Sequence, residues 1–234
     1  MRTLQTGIHP VPAQPLFVES SACLVSSTIA ISRLTDLPAM QLEADVLELM
    51  QGTLVGDVDV TAVPPEADEV EQRMLRHVSQ VYGLGNGRQL EDGEYQSQIL
   101  WCQGAAFHED AVFDCVTAVM LWEGEARDLV LPHLGVVVPL TPGTVVLFDS
   151  AQPHGLLMPG HRQFDARHYQ DPSTRSVFCT MDLPRDLPGL QALMQFECEP
   201  RGVRRDAFRL QASTGVDSTT GAWQARKYPV VSAN

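Results

Sequence analysis

A mainly β fold, an antiparallel sandwich or barrel with flanking helices, is what this sequence predicts, on three observations. From Tyr95 to Met181 the chain falls into short stretches rich in Val, Leu, Phe and Thr, punctuated by Gly124, Pro132 and Pro142-Gly143. Many short strands at close spacing mark antiparallel sheets that pack or close on themselves. Before Tyr95, apolar residues recur at helical spacing, so helices flank the strands instead of alternating with them. The chain has 234 residues, 44% of them hydrophobic, enough for one sizeable core. The expected division is an N-terminal extension with helices over 1–94, a β core over 95–183, and a C-terminal helix with a basic tail over 184–234, all in one structural domain.

Taken in order, residues 1–20 hold Pro10, Pro12 and Pro15 and are expected to run extended over the surface. A strand is predicted at Cys23–Ile31. A short helix is predicted at Asp36–Met50, with Asp36 as N-cap and Leu42, Val46, Leu49 and Met50 on one side. A second helix opens at Pro64-Pro65. Glu66, Asp68 and Glu69 favour its N-terminus, Val70, Met74, Val78 and Val81 form its apolar stripe, and Gly83 ends it. His77 reads as a surface residue of that helix. Strands follow at Tyr95–Trp101, Val116–Trp122, Asp128–Leu131, Val136–Leu140, Thr144–Phe148, Gly155–Met158 and Arg175–Met181, then a helix near Leu187–Phe196. The tail carries Arg201, Arg204, Arg205, Arg209, Arg226 and Lys227.

Sixteen basic and twenty-nine acidic residues give a net charge of −13. Such a surface repels phosphate backbones and anionic lipid heads, which disfavours nucleic acid and membrane partners. The five cysteines, Cys23, Cys102, Cys115, Cys179 and Cys198, are widely spaced with no C-x-x-C, so reduced, mostly buried thiols are expected. The mildly apolar stretch Ala22–Ile31 is broken by Ser26, Ser27 and Thr28, and no segment has membrane-span length. A soluble cytoplasmic protein is the expectation.

The chemistry concentrates at Gly104-Ala-Ala-Phe-His108-Glu109-Asp110. In extended chain, residues two apart point the same way, so His108 and Asp110 can converge on one cation while Glu109 turns outward. A third ligand must come from another strand. Pro153-His154-Gly155 offers one, 44 residues after Asp110, behind the turn-strand-turn run Pro142 to Asp149. Two histidines and one carboxylate leave three octahedral positions open on one face, the ligand set of non-haem Fe(II) oxygenases. Zinc more often takes a closed tetrahedral set or three ligands plus water. H-x-D alone also fits an exposed His-Asp turn; the combination with the β-rich interval and His154 favours a metal.

Together these residues resemble the 2-oxoglutarate/Fe(II) dioxygenase superfamily, especially its prolyl-hydroxylase-like branch, over about Tyr95 to Met181. The resemblance implies a double-stranded β-helix (jelly roll), with His108 and Asp110 as the first two iron ligands and His154 as the distal one. It implies Fe(II) as cofactor, 2-oxoglutarate and O2 as cosubstrates, and hydroxylation of a small molecule or a protein side chain. Asp110 fills the place a halide would take, so hydroxylation is expected over halogenation. The family also needs a basic residue at the start of the strand after the distal histidine, to hold the far carboxylate of 2-oxoglutarate. Arg175 fits by context, although its 21-residue interval from His154 is about twice the usual one. A long loop, Pro159–Thr174, accounts for the excess, and Arg162 and Arg167 inside it are rival candidates. Val177 stands where the family often has a hydroxyl, with Ser176 or Thr174 as substitutes. Gln98 and Trp101, and after them Tyr95, are candidate cosubstrate contacts, each equally readable as a plain strand residue. Substrate choice is expected from the N-terminal helices, the 159–174 loop and the basic tail.

Three other readings compete. A cupin-type metalloenzyme without 2-oxoglutarate usually carries H-x-H, absent here. A non-catalytic binding module on the same scaffold needs no intact triad. A nucleic-acid demethylase conflicts with the charge. His133 reads as a turn residue, and His161 and His168, in the 159–174 loop, are minor candidates for extra ligands or substrate contacts.

Overall fold

Consecutive strands in the centre of the chain cross between two sheets, and this crossing builds the site. The computed structural model describes residues 1–11, 22–40, 58–59, 65–84, 95–108, 110, 115–132, 134–169, 176–200, 211–216 and 223–227. In chain order these form β1 (Arg2–Thr3), β2 (Gly7–Pro10), β3 (Ala22–Val25), β4 (Thr28–Arg33), β5 (Val58–Asp59) and α1 (Ala67–Tyr82). The central strands follow as β6 (Gln96–Trp101), β7 (Ala105–His108), β8 (Cys115–Gly124), β9 (Arg127–Leu131), β10 (Val136–Leu140), β11 (Thr144–Phe148), β12 (His154–Leu157) and β13 (Ser176–Pro184). The chain continues with α2 (Pro188–Met194), β14 (Glu197–Pro200), β15 (Gln211–Val216) and β16 (Trp223–Lys227).

The larger sheet has the order β2-β4-β11-β8-β13-β6-β5, and the smaller β1-β10-β9-β12-β7. Strands β6, β8, β11 and β13 thus lie in one sheet and β7, β9, β10 and β12 in the other. That is the jelly roll, a double-stranded β-helix, with the two sheets packed face to face. Within the first ten residues, Arg2–Thr3 and Gly7–Pro10 are strands of the sheets themselves: β1 pairs in parallel with β10 and β2 antiparallel with β4.

Alternation along the strands sorts the core. On β8, Val116, Ala118, Met120 and Trp122 face one way, and β13 does the same with Val177, Cys179, Met181 and Leu183; this set packs with Val70, Met74 and Val78 of α1 and with Leu190 and Met194 of α2. The opposite faces, with Leu121 and Phe178, meet Leu129, Leu131, Val136, Val138 and Leu140 of the smaller sheet. The larger sheet is therefore buried on both sides. Each fully buried aliphatic side chain contributes about 1.5–3 kcal/mol.

Helix α1 follows its predicted stripe through Val78, joined by Ala67 and Leu75. Val81 departs from it and is 52% exposed. Gly83 closes the helix at φ 64°, a left-handed angle suited to glycine. His77 is half-buried, its Nε2 2.9 Å from Ser32 Oγ, and burial lowers its pKa. The helix predicted at Asp36–Met50 is not formed over residues 36–40: Asp36 has φ 59° and the segment has no regular secondary structure. Leu37 precedes Pro38, which disfavours helical geometry at Leu37. The segment is instead pinned along the larger sheet, where Trp122 Nε1 donates to Pro38 O at 2.9 Å and Met40 N to Glu123 Oε2 at 3.0 Å. Residues 41–50 lie outside the described residues. No described helix is long and apolar enough to cross a membrane.

Candidate metal centre

Strand β7 ends at His108 and β12 begins at His154, and the two residues are direct antiparallel partners. Cross-strand neighbours on one face stand close enough for their side chains to touch. Here the two rings sit 4.3 Å apart, tilted by 53°. Asp110 follows β7, where its N–H donates to Ser150 O at 3.0 Å. That bond ties it to the turn leading into His154. Asp110 Oδ1 lies 3.5 Å from His108 Nε2, and its Oδ2 3.8 Å from His154 Nε2.

The imidazoles are oriented by their own strands. His108 Nδ1 donates to Ala106 O at 2.7 Å, and His154 Nδ1 to Gln152 O at 2.9 Å. A proton fixed on each Nδ1 leaves each Nε2 lone pair facing Asp110, the second-shell arrangement of metal-bound histidine. Phe148 meets the His154 ring edge-on at 5.1 Å. Burial, and then nearby His108, push His154 down to about 4, against an upward pull from Asp110. His154 is thus neutral near pH 7, the state a metal requires.

One candidate ligand atom from each of the three residues falls within 4.8 Å of the others. A first-row cation bonding at about 2.1 Å sets neighbouring ligand atoms about 3 Å apart, so a small inward shift closes the shell. The donor set fits a divalent transition metal with an open face.

Behind this centre lies a cavity of about 420 Å³ between the two sheets. Its mouth is polar, with Asp110, Thr117, Asp182, Thr180 and Gln98; its depth is apolar, with Leu100, Cys102, Leu129, Leu140 and Phe178. Thr117 Oγ1 donates to Asp182 Oδ1 at 2.8 Å and lies 2.9 Å from Ser150 Oγ. Burial, and to a lesser extent Asp110, raise the Asp182 pKa.

The structure brings His108, Asp110, His154 and Gln98 to this cavity. Trp101 does not join them: it is one residue out of phase with Leu100 and Cys102, 3% exposed, and packed in the helix-side core. Tyr95 also faces α1, where its hydroxyl donates to Glu71 Oε1 at 2.8 Å, and its pKa is pushed up to about 12 by burial and that carboxylate. Arg175 and Thr174 lie outside the described residues, as does His133. Arg162 pairs with Asp128 at 3.1 Å, and Arg167 pairs with Asp165 while 83% exposed; neither lines the cavity. Ser176 is buried and donates to Glu125 O, and Val177 packs on the helix side. The 159–174 loop, expected to influence substrate choice, is clamped where described. Tyr169 is fully buried, stacks on Phe164 and accepts a hydrogen bond from Met158 N; Gly160 N donates to Asp128. Arg201, Arg204, Arg205 and Arg209 of the tail are outside the described residues.

Sequence reasoning passed over Arg127 and Asp182. Arg127 sits opposite Leu140 across β9–β10, in phase with Leu129 and Leu131, so its stem rises from the inner face of the smaller sheet. It is 1% exposed, and its Nε donates to Gln103 O at 2.7 Å. An arginine in the alternation Arg127-x-Leu129-x-Leu131 was the available signal. Asp182 shares a face with Phe178, but no local pattern distinguishes it. No Arg or Lys is among the described residues lining the cavity.

No family model and no curated protein matches the chain. Solved structures similar to it include an oxidoreductase of the 2OG-Fe(II) oxygenase family from Burkholderia pseudomallei, at 15% identity and TM-score 0.33, covering 68% of this chain and 85% of that one. A RmlC-like cupin protein from Desulfovibrio desulfuricans matches at 15% identity and TM-score 0.27, over 38% of this chain and 72% of its own. A salicylate 1,2-dioxygenase from Pseudaminobacter salicylatoxidans matches at 16% identity and TM-score 0.27, over 47% of this chain and 26% of its own length. At such scores these likenesses bear on neither chemistry nor substrate.

Proposed function

We propose that the protein is an Fe(II)- and 2-oxoglutarate-dependent oxygenase of prolyl-hydroxylase-like kind, hydroxylating a small molecule or a protein side chain. The observation that carries this reading is the convergence of His108 Nε2, His154 Nε2 and the Asp110 carboxylate at the mouth of a cavity, with both imidazole tautomers fixed by backbone carbonyls. Iron held there would supply O2 activation, and 2-oxoglutarate would supply two electrons, leaving as succinate and CO2.

The chain's own residues bind and exclude. His108, His154 and Asp110 would hold the cation. Leu100, Leu129, Leu140 and Phe178 suit the methylenes of a cosubstrate and keep water out. The far carboxylate calls for a guanidinium, which can bind it through two parallel hydrogen bonds. Arg127, in phase with the inner-face leucines though not among the cavity-lining residues, and Arg175, directly before β13 in sequence, are the two arginines this reading offers.

Anaerobic addition of Fe(II) and then 2-oxoglutarate tests it, through the weak visible charge-transfer band of a chelated 2-oxo acid. The band is expected in the wild-type chain and in Arg162→Ala, and is expected to be lost in Arg127→Met or in Arg175→Ala. The absence of any Arg or Lys from the described cavity lining favours a second reading, a cupin-type metalloenzyme that does not use 2-oxoglutarate. Iron binding without the band decides for it. A chain that binds no iron is a non-catalytic module on this scaffold.

A further inference from the structure

We infer that Asp182 selects the substrate of this centre, and that the substrate presents a protonated amine to the cavity mouth. The inference rests on the oxygenase reading for calling the bound molecule a substrate. Asp182 is not one of the three converging ligands, yet its carboxylate lines the same cavity on the opposite sheet.

Among the described residues, the buried carboxylates are matched by cations. Asp149 pairs with Arg185 at 2.6 Å and Asp128 with Arg162 at 3.1 Å. Asp182 has the Thr117 hydroxyl, and among the described residues no Arg, Lys or His forms an ion pair with it. A half-buried carboxylate without a counter-charge is costly unless something else supplies that charge. Thr117 holds one oxygen of the carboxylate, and both residues line the cavity.

The surroundings favour a cation. Thr180 and Gln98 beside Asp182 are neutral, and no described lining residue is Arg or Lys. The charge of a bound metal is offset by Asp110 and by the two carboxylates of 2-oxoglutarate. The net charge of −13 also draws cations toward the protein.

Calorimetric binding of benzylamine, benzyl alcohol and benzoate to the full chain, loaded anaerobically with Fe(II) and 2-oxoglutarate, tests this. Benzylamine is expected to bind at least about tenfold more tightly than benzyl alcohol, the ratio a charge-assisted hydrogen bond supports, with benzoate weakest. Asp182→Asn, nearly the same shape, is expected to lose that preference and still bind Fe(II). Equal binding of amine and alcohol, tighter binding of benzoate, or no binding of any of the three to the wild-type chain overturns the inference. The visible band is scored separately. A band without amine preference removes the role of Asp182 and leaves the oxygenase standing; amine preference without the band removes 2-oxoglutarate and leaves Asp182 as an ammonium site.

Discussion

Gly104 lies directly beneath the Tyr169 ring, so closely that a Cβ at residue 104 would enter the ring's van der Waals envelope. Tyr169 is fully buried and fixes the segment after β12 against the start of β7, the strand that carries His108. Gly104→Ala should cost about 1–3 kcal/mol through overpacking. In a Tyr169→Leu background the same change should cost much less, and urea unfolding of the double-mutant cycle reads the coupling. Additive costs would mean that the contact is not what glycine serves there.

Removing a ligand should abolish metal binding without unfolding the chain. His108→Ala and Asp110→Ala are each expected to weaken Fe(II) affinity by more than about 100-fold, beyond the loss usual for a supporting residue. Competition with a chromophoric chelator measures this, and circular dichroism checks the fold. Asp110→Ala should also end succinate formation. Iron-loaded Asp110→Ala that still forms succinate would remove Asp110 from the ligand set.

The ion pair of Asp149 and Arg185 supports the same turn from behind. Asp149 Oδ2 accepts from Ser26 N at 2.7 Å, and its Oδ1 accepts from Arg185 Nη2 at 2.6 Å. Burial raises the Asp149 pKa while Arg185 lowers it. Asp149→Ala leaves Arg185 without a carboxylate, bonded only to the carbonyls of Cys115 and Leu24, and should cost about 3–5 kcal/mol. Because Ala151 N donates to Asp149 Oδ1 at 3.1 Å in the turn before His154, metal affinity should fall as well. A urea midpoint within error of wild type would show that water replaces the pair.

Acid should destabilise the metal-free protein through His154. Its folded pKa, about 4, lies below the unfolded value of 6.5, so the unfolded chain binds the extra proton between those values. Stability contributed by neutral His154 is therefore present above about pH 6.5 and declines as pH falls toward 4, by at most about 1.4 kcal/mol per unit. His154→Gln should flatten that part of the profile. Bound metal should shift the decline to lower pH, because it holds His154 unprotonated.

By itself the sequence determined what local spacing encodes. The turn residues Gly124, Pro132 and Pro142-Gly143 separate strands that form where predicted, and Gly83 ends α1. The two-residue step from His108 to Asp110 and the position of His154 after β11 made the three converging residues legible. Tertiary structure decided which face of each strand meets the cavity. Both faces of the larger sheet are covered, and β13 carries buried apolar residues on each, Val177, Cys179 and Met181 on one and Phe178 on the other, so alternation does not say which face meets the cavity. Gln98 and Trp101, or Asp182 and Met181, cannot be told apart until the helices cover one side and the smaller sheet the other. The same holds for Arg127, whose burial against Gln103 depends on a chain reversal distant in sequence, and for residues 36–40, where a proline and contacts with Trp122 and Glu123 outweigh a helical pattern. Periodicity reports which residues share a side; only packing against the rest of the chain says what lies on that side.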